Sequence, residues 1–435
     1  MICSVIAFCL LSNFAITQNI KKLSLDEFVK LGLENSKSLK IAFEKDLVMK
    51  AKVQQVKNQL LPNLTASTNY TRISDNIDPF KVKLNATAPE VILNPQILNQ
   101  SYNKLGLQYG VFTGFRAINT LKSFEFLEKA TAFDVEKEQS DIKLNLINSY
   151  YAFYKLILSK KVVEDNIKTI DNRLKDVKSF VNQNMALQND VLKLELQKSN
   201  VAQNIADLNN NIDITNFNLD ILIGLPTDTK IEFENATLDL NKIVESNDLI
   251  NMALQNRPEI LSGNFRKLAA EKNIAIAKGN YYPVVSIGAG YDYNLPNQRV
   301  FPQEEAFKGT WSAGITASLN LFNFFTTKAL IQEQKANFNQ VVDQQDQISD
   351  GIKMEVNANN ANYSNAIQKI ALAEQAISQA TENQRIMKSR YNNQVATLTD
   401  LLEADFLFSQ AQINLITAKV EAALNYSKLQ KSIGK

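Results

Sequence analysis

The stretch YYPVVSIGAGYDYN, Tyr281–Asn294, decides how the rest of the chain is read. Val285, Ile287, Ala289, Tyr291 and Tyr293 alternate with Ser286, Gly288, Gly290, Asp292 and Asn294. A period of two marks a strand with one apolar and one polar face. Pro283 stands just before it, where a helix must stop and become a strand. A second alternating run follows: Trp311, Ala313, Ile315, Ala317, Leu319 and Leu321 against Ser312, Gly314, Thr316, Ser318 and Asn320. Strands of about ten residues with small and polar side chains on the second face suit a membrane β-barrel. For any one such segment, a soluble sandwich strand is the default alternative.

A second pair of alternating runs lies upstream. Leu64, Ala66 and Tyr70 alternate with polar residues after Pro62, and Leu105, Leu107, Tyr109 and Val111 alternate with Gly106, Gln108 and Gly110. The pairs match because the chain repeats itself. At an offset of 221, Leu33–Leu39 meets Leu254–Ile260, Pro62 meets Pro283 and Tyr70 meets Tyr291. At an offset of 210, Phe112 meets Phe322, Asn182 meets Asn392, Ala186 meets Ala396 and Asp190 meets Asp400. A longer loop in the first copy, between Tyr70 and Phe112, accounts for the change in offset. The organisation read from this is a first repeat over 18–226 and a second over 227–435. The strands are expected at about 63–73, 103–112, 284–294 and 310–321.

Between strands and repeat ends run long segments almost free of Gly and Pro, Gly114–Phe180 and Asn323–Arg390. At 1.5 Å per residue, about 67 helical residues span roughly 100 Å. The helix after the first of these has heptad spacing: Leu194, Val201, Ile205, Leu208, Ile212, Leu219 and Leu222. The matching seam in the second copy, Ala404 through Leu429, is smaller and more polar, so those helices must pack differently.

Composition narrows the function classes. The chain has 435 residues and a net charge of +2, which gives no electrostatic case for nucleic acid. There is no histidine, and the two cysteines, Cys3 and Cys9, lie in the first seventeen residues. That segment, MICSVIAFCLLSNFAIT, reads as a secretory signal peptide (1–17) with its apolar run at Ile2–Leu11, although no Lys or Arg precedes the run. Cleavage after Thr17 leaves a chain without cysteine, disulfide or lipid-accepting thiol. Lacking His and Cys, the mature chain loses most nucleophile–base pairs and the favoured zinc and copper ligands, and no glycine-rich phosphate loop follows a strand; a paired-carboxylate hydrolase is the enzyme alternative, with nothing pointing to it, and no metal or cofactor is expected. The reading is therefore not an enzyme.

Four strands cannot close a barrel, and an open sheet in lipid leaves backbone groups unpaired at several kcal/mol each. The chain must oligomerise. Three copies give twelve strands and a water-filled bore, with their helices forming a second tube.

Several stretches in order resemble the TolC-like outer membrane efflux protein family: LSLDEFVKLGLENSKSLKIA (Leu23–Ala42), NRPEI (Asn256–Ile260), YYPVVSIGAGYDYN, ASLNLFNFFTTKA (Ala317–Ala329) and RYNNQVATLTDLLEAD (Arg390–Asp405). The resemblance implies a mixed α/β membrane protein. A long α-helical coiled-coil barrel carries four strands per chain, which form a trimeric, twelve-stranded transmembrane β-barrel with an internal two-fold repeat. It implies a homotrimer in the outer membrane of a Gram-negative bacterium, in contact with outer membrane lipid, with its helical tunnel in the periplasm. A mixed belt is expected from Leu25–Asn35, Thr227–Asn256 and the chain ends. Implied partners are a periplasmic adaptor (membrane fusion) protein and an inner-membrane efflux pump or ABC transporter of type I secretion. The alternative is a structural periplasmic or surface coiled coil without a channel. The cargo is not readable.

The resemblance also places the repeated stretches at two helix–turn–helix tips, Asn182–Asn189 and Asn392–Thr399. The adaptor-contacting residues are then Asn184, Met185, Ala186 and Leu187 in the first tip, with Gln394, Val395, Ala396, Thr397 and Leu398 in the second; ordinary turn packing is the plainer role. The family usually has Gly in this turn. Here Asn184 and Gln394 take its place, and Gln suits a left-handed backbone poorly. The implied tunnel constriction is Asp400 and Glu403, with Tyr391 and Asp190 beside it. Residues three apart on a helix share a face. Acidic side chains in a first helical turn are equally explained by the helix dipole. Ala396 stands where a basic gate residue is expected, and Lys193 replaces Glu403 in the first copy. Tyr281, Tyr282, Tyr293 and Trp311 are expected at a membrane interface, and Phe322, Phe324 and Phe325 packed beneath the barrel.

Overall fold

The computed structural model describes residues 20–435 except 77, 95 and 235–245. The expected signal segment, 1–17, lies outside the described residues. Chain order is β1 (Ile20–Leu23), α1 (Leu25–Asn35), α2 (Lys37–Asn58), β2 (Asn63–Arg72), β3 (Phe80–Val82), β4 (Val91–Asn94), β5 (Asn99–Phe112), α3 (Arg116–Asn182) and α4 (Gln188–Ile223). Then come β6 (Lys230–Phe233), α5 (Ser246–Asn256), α6 (Pro258–Lys278), β7 (Val284–Leu295), β8 (Lys308–Ser318), α7 (Asn323–Asn392) and α8 (Leu398–Ser432). Two compact units result, one of Phe43–Asp134 with Glu259–Ile348, the other of Val135–Pro258, Ser349–Lys435 and the chain up to Ala42.

The first unit holds a four-stranded antiparallel sheet in the order β2-β5-β7-β8. Pro62 and Pro283 stand immediately before β2 and β7, since proline ends the helix and tolerates the first strand position. Cross-strand partners fix the faces. Leu64 pairs with Leu107, Leu107 with Ala289 and Ala289 with Ala313, which puts the apolar residues together. Thr65, Gly106, Gly290 and Ser312 form a matching row on the polar face.

Two strands differ from the alternation. β5 begins at Asn99, before 103, because Asn99–Tyr102 are polar on both faces yet pair with β2. β8 covers Lys308–Ser318 where 310–321 was expected. There Asn320 accepts the Phe322 N–H on its side chain at 3.0 Å and the Asn323 N–H on its carbonyl at 3.1 Å, so the chain turns into α7. The extra length of the first copy includes a small hairpin, β3–β4, where Lys81 and Lys83 flank Glu90 at 4.0 and 3.3 Å.

The sheet's apolar face is open in the single chain: Leu64, Tyr70, Ile315 and Trp311 are exposed, Trp311 at 77%. A contiguous apolar surface of this size marks contact with lipid or protein. Phe324 stacks on Tyr281 at 5.7 Å. Phe322, Phe324 and Phe325, expected beneath the barrel, are all exposed in the single chain, because they sit in the turn and first helical turn after β8.

The other unit builds its core on Phe28, Leu146, Tyr150, Phe153 and Ile223, all almost fully buried. Each such side chain contributes roughly 1.5–3 kcal/mol. Phe233 stacks on Tyr150 with centroids 3.8 Å apart, from β6, which pairs in parallel with β1. Ser24 and Glu27 cap α1 reciprocally: Ser24 Oγ accepts the Glu27 N–H at 3.3 Å and Glu27 Oε2 accepts the Ser24 N–H at 3.0 Å. In α4 the heptad seam buries Leu194, Val201 and Leu219 but then moves to Ile223, leaving Leu222 exposed. A 3.6-residue turn drifts off a 3.5-residue repeat in this way. Between α7 and α8 the small seam buries Ala366 and Ile370 against Ala418 and Ala422.

Candidate functional site

The two repeated stretches fold into matching turns. Asn184 and Gln394 have φ of 57° and 60°, so both occupy the left-handed region. In the first turn the N–H groups of Asn184 and Met185 donate to Val181 and Phe180 at 3.0 and 2.8 Å. In the second, those of Gln394 and Val395 donate to Tyr391 and Arg390 at 3.0 and 2.9 Å. This crossed pair is the Schellman arrangement that satisfies the last carbonyls of a helix. The second turn thus has the shape of the first, although Gln is the costlier residue at that position.

The helices leaving the turns start alike. Thr397 Oγ1 accepts the Asp400 N–H at 3.2 Å, and Asp400 Oδ2 accepts the Thr397 N–H at 2.8 Å and the Thr397 hydroxyl at 2.8 Å. Those hydrogen bonds, backbone first, hold the Asp400 carboxyl below the usual carboxylate range, with Arg390 helping. In the first copy Asp190 accepts the Leu187 N–H at 3.4 Å. Capping therefore accounts for the recurrence of Asp at both positions.

Glu403 lies one helical turn beyond Asp400, and both line an open groove with Asn383, Met387, Arg390 and Leu407. In the first copy Lys193 lies 3.9 Å from Asp190 and offsets its charge. Tyr391 and Asp190 line a different groove, between the turns, with Met185 and Leu187. The four constriction residues are thus divided between two grooves of the single chain. Tyr391 packs on the cluster of Ile170, Val177, Val191 and Leu194. Burial, and then Asp190, push its hydroxyl pKa up. Of the tip residues, Asn184, Met185, Leu187, Gln394, Val395 and Thr397 are exposed, Ala186 and Ala396 are half-buried, and Leu398 is buried in that same cluster.

Sequence reasoning missed the polar contact that ties the hairpins together. Arg173 of α3 and Asp405 of α8 are both buried, with Nε 3.5 Å from Oδ2, and Gln384 of α7 donates to Asp405 Oδ1 at 2.7 Å. The repeat gave no signal, because the counterparts of Arg173 and Asp405 are Asn383 and Glu195.

The chain thus carries an amphipathic sheet whose edge strands are unpaired among the described residues, and long helical hairpins with capped turns. The comparisons place the chain more closely. Residues 249–435 match the family "Outer membrane efflux protein". The chain is 20% identical over 438 residues to the outer membrane protein TolC of Escherichia coli, covering 98% of this chain and 84% of that protein. Its fold is similar to that of the outer membrane protein VceC of Vibrio cholerae, with TM-score 0.77 and 18% identity over 94% of this chain and 96% of the other. It is likewise similar to CusC, with TM-score 0.78 and 14% identity over 94% and 92%. Residues 249–435 thus match the outer membrane efflux protein family, and the chain as a whole is similar in fold to these outer membrane channels.

Proposed function

We propose that three copies of this chain form an exit duct of a tripartite efflux pump or a type I secretion system. The observation that carries the reading is the sheet β2-β5-β7-β8, amphipathic and with edge strands β2 and β8 unpaired among the described residues. Unpaired backbone groups in lipid cost several kcal/mol each, so β8 of one copy pairs with β2 of the next until the sheet closes. Three copies make twelve strands, apolar outward and polar inward. The repeats 18–226 and 227–435 are two copies of one unit, so the helical hairpins line a nearly sixfold tunnel in the periplasm. The turns at Asn184 and Gln394 meet the periplasmic adaptor, through which an inner-membrane pump or ABC transporter delivers cargo. Asp400 and Glu403, repeated three times, form acidic rings that admit cations more readily than anions in a narrow bore.

The test places one cysteine on each edge strand: Ser67→Cys with Thr310→Cys, Ser312→Cys or Thr316→Cys, all polar-face positions. Oxidation in the membrane should give covalent trimers from one of these pairs. Covalent species that stop at monomer or dimer for every pair would reject edge closure by three copies.

A further inference from the structure

We propose that Lys104 gives the barrel interior a preference for organic anions, opposite in sign to the acidic rings at the turns. The inference rests on the duct reading above. Three charged side chains project from the strands of the polar sheet face, Lys104, Asp292 and Lys308, since Lys104 pairs across with Asp292, Asp292 with Thr310, and Lys308 with Asn294. Two of them are neutralised locally: Arg299 lies 3.7 Å from Asp292, and Glu304 lies 3.1 Å from Lys308. Lys104 has no ion pair among the described residues, although Asp292 is its direct cross-strand neighbour. Asp292 is turned to Arg299 instead, which leaves one uncompensated positive charge per chain on this face.

The neighbours of Lys104 keep that charge accessible. Its Cε lies 4.0 and 3.9 Å from the points where side chains at Gly106 and Gly290 would begin. The Lys104 stem thus lies across a glycine pair, and any larger residue there would crowd it. Ser312 lies beside the same trough, with its Oγ accepting from Arg299 at 3.4 Å and its own proton without an acceptor among the described residues. An ammonium and a hydroxyl on a wall without bulky side chains suit a carboxylate, sulfonate or phosphate group of passing cargo. In a wide bore the effect is long-ranged and screened: the Debye length is about 30 Å at 0.01 M salt and about 3 Å at 1 M. The preference is therefore strong in dilute salt and lost in concentrated salt.

The test measures reversal potentials of single pores under a salt gradient. The chain carries Cys3→Ser and Cys9→Ser, with Asp400→Asn and Glu403→Gln so that the rings do not dominate. Lys104→Cys is compared before and after reaction with a cationic or an anionic methanethiosulfonate reagent, applied to pores already assembled. In about 0.01 M salt, Lys104→Cys should lower the anion-to-cation permeability ratio by about twofold or more. The cationic reagent should restore the ratio and the anionic reagent lower it further. In about 1 M salt the differences should vanish. Pores whose reversal potential is the same in all three states overturn the inference and leave the duct intact. Absence of pores from the chain with Lys104 in place overturns the duct and this inference with it.

Discussion

Asp405 and Arg173 face each other at 3.5 Å, both buried, across the gap between α8 and α3. The pair joins the hairpin of one repeat to that of the other, and Gln384 occupies the second Asp405 oxygen. Removing one partner strands the other charge away from water. Arg173→Ala should therefore destabilise the packed hairpins by about 3 kcal/mol. Replacing both residues with leucine should recover most of that loss. Native-state hydrogen exchange along α8 checks both expectations.

Asp220 carries the clearest titration. It is fully buried near the end of α4, its Oδ1 has no hydrogen-bond partner among the described residues, and Asn216 donates to Oδ2 at 3.1 Å. Burial, with Asp228 adding to it, pushes its carboxyl pKa from 3.8 up to about 6. The folded chain then keeps a proton that the unfolded chain releases between those values. Stability should fall as pH rises through that window, with the full cost, about 3 kcal/mol at most, present above it. Asp220→Asn should stabilise the protein at neutral pH and flatten the curve. Thermal midpoints of both proteins across that range decide it.

The second turn should gain from the residue it lacks. A non-glycine residue at left-handed φ costs roughly 1–2 kcal/mol, and Gln394 sits there at φ 60°. Gln394→Gly should slow amide exchange at Val395 and Ala396 by about tenfold, whereas Asn184→Gly should change its own turn less, since Asn tolerates the conformation better.

Cap and charge are separable at the start of α8. Thr397→Ala removes the hydroxyl that accepts the Asp400 N–H, and should cost about 1 kcal/mol while leaving the acidic charge in place. The Asp400 carboxyl is held below its ordinary range, so the cap it provides persists above that range and is lost only as pH falls through the lowered value. Exchange rates of the first-turn amides of α8, followed downward in pH, should rise later than expected for a free aspartate.

Much of this was legible in the residues. The alternation of Val285–Asn294 and the prolines at 62 and 283 located strands, because sheet periodicity and proline's missing N–H are local rules. The polar start of β5 was hidden, since Asn99, Gln100 and Ser101 carry no alternation. The turns were legible as a repeat, but their shape was not: only the crossed hydrogen bonds show that Gln394 accepts the backbone of Asn184. The division of Asp190 with Tyr391 from Asp400 with Glu403 depends on which helix faces pack together. The Arg173–Asp405 contact depends on the same packing, and no spacing along the chain encodes it.

The central claim is a pore, and planar-bilayer recording of the purified protein tests it most directly. The wild type should give discrete, long-lived, cation-preferring conductance, and Asp400→Asn/Glu403→Gln larger, less selective conductance. Folded protein that never conducts across the bilayer would contradict it.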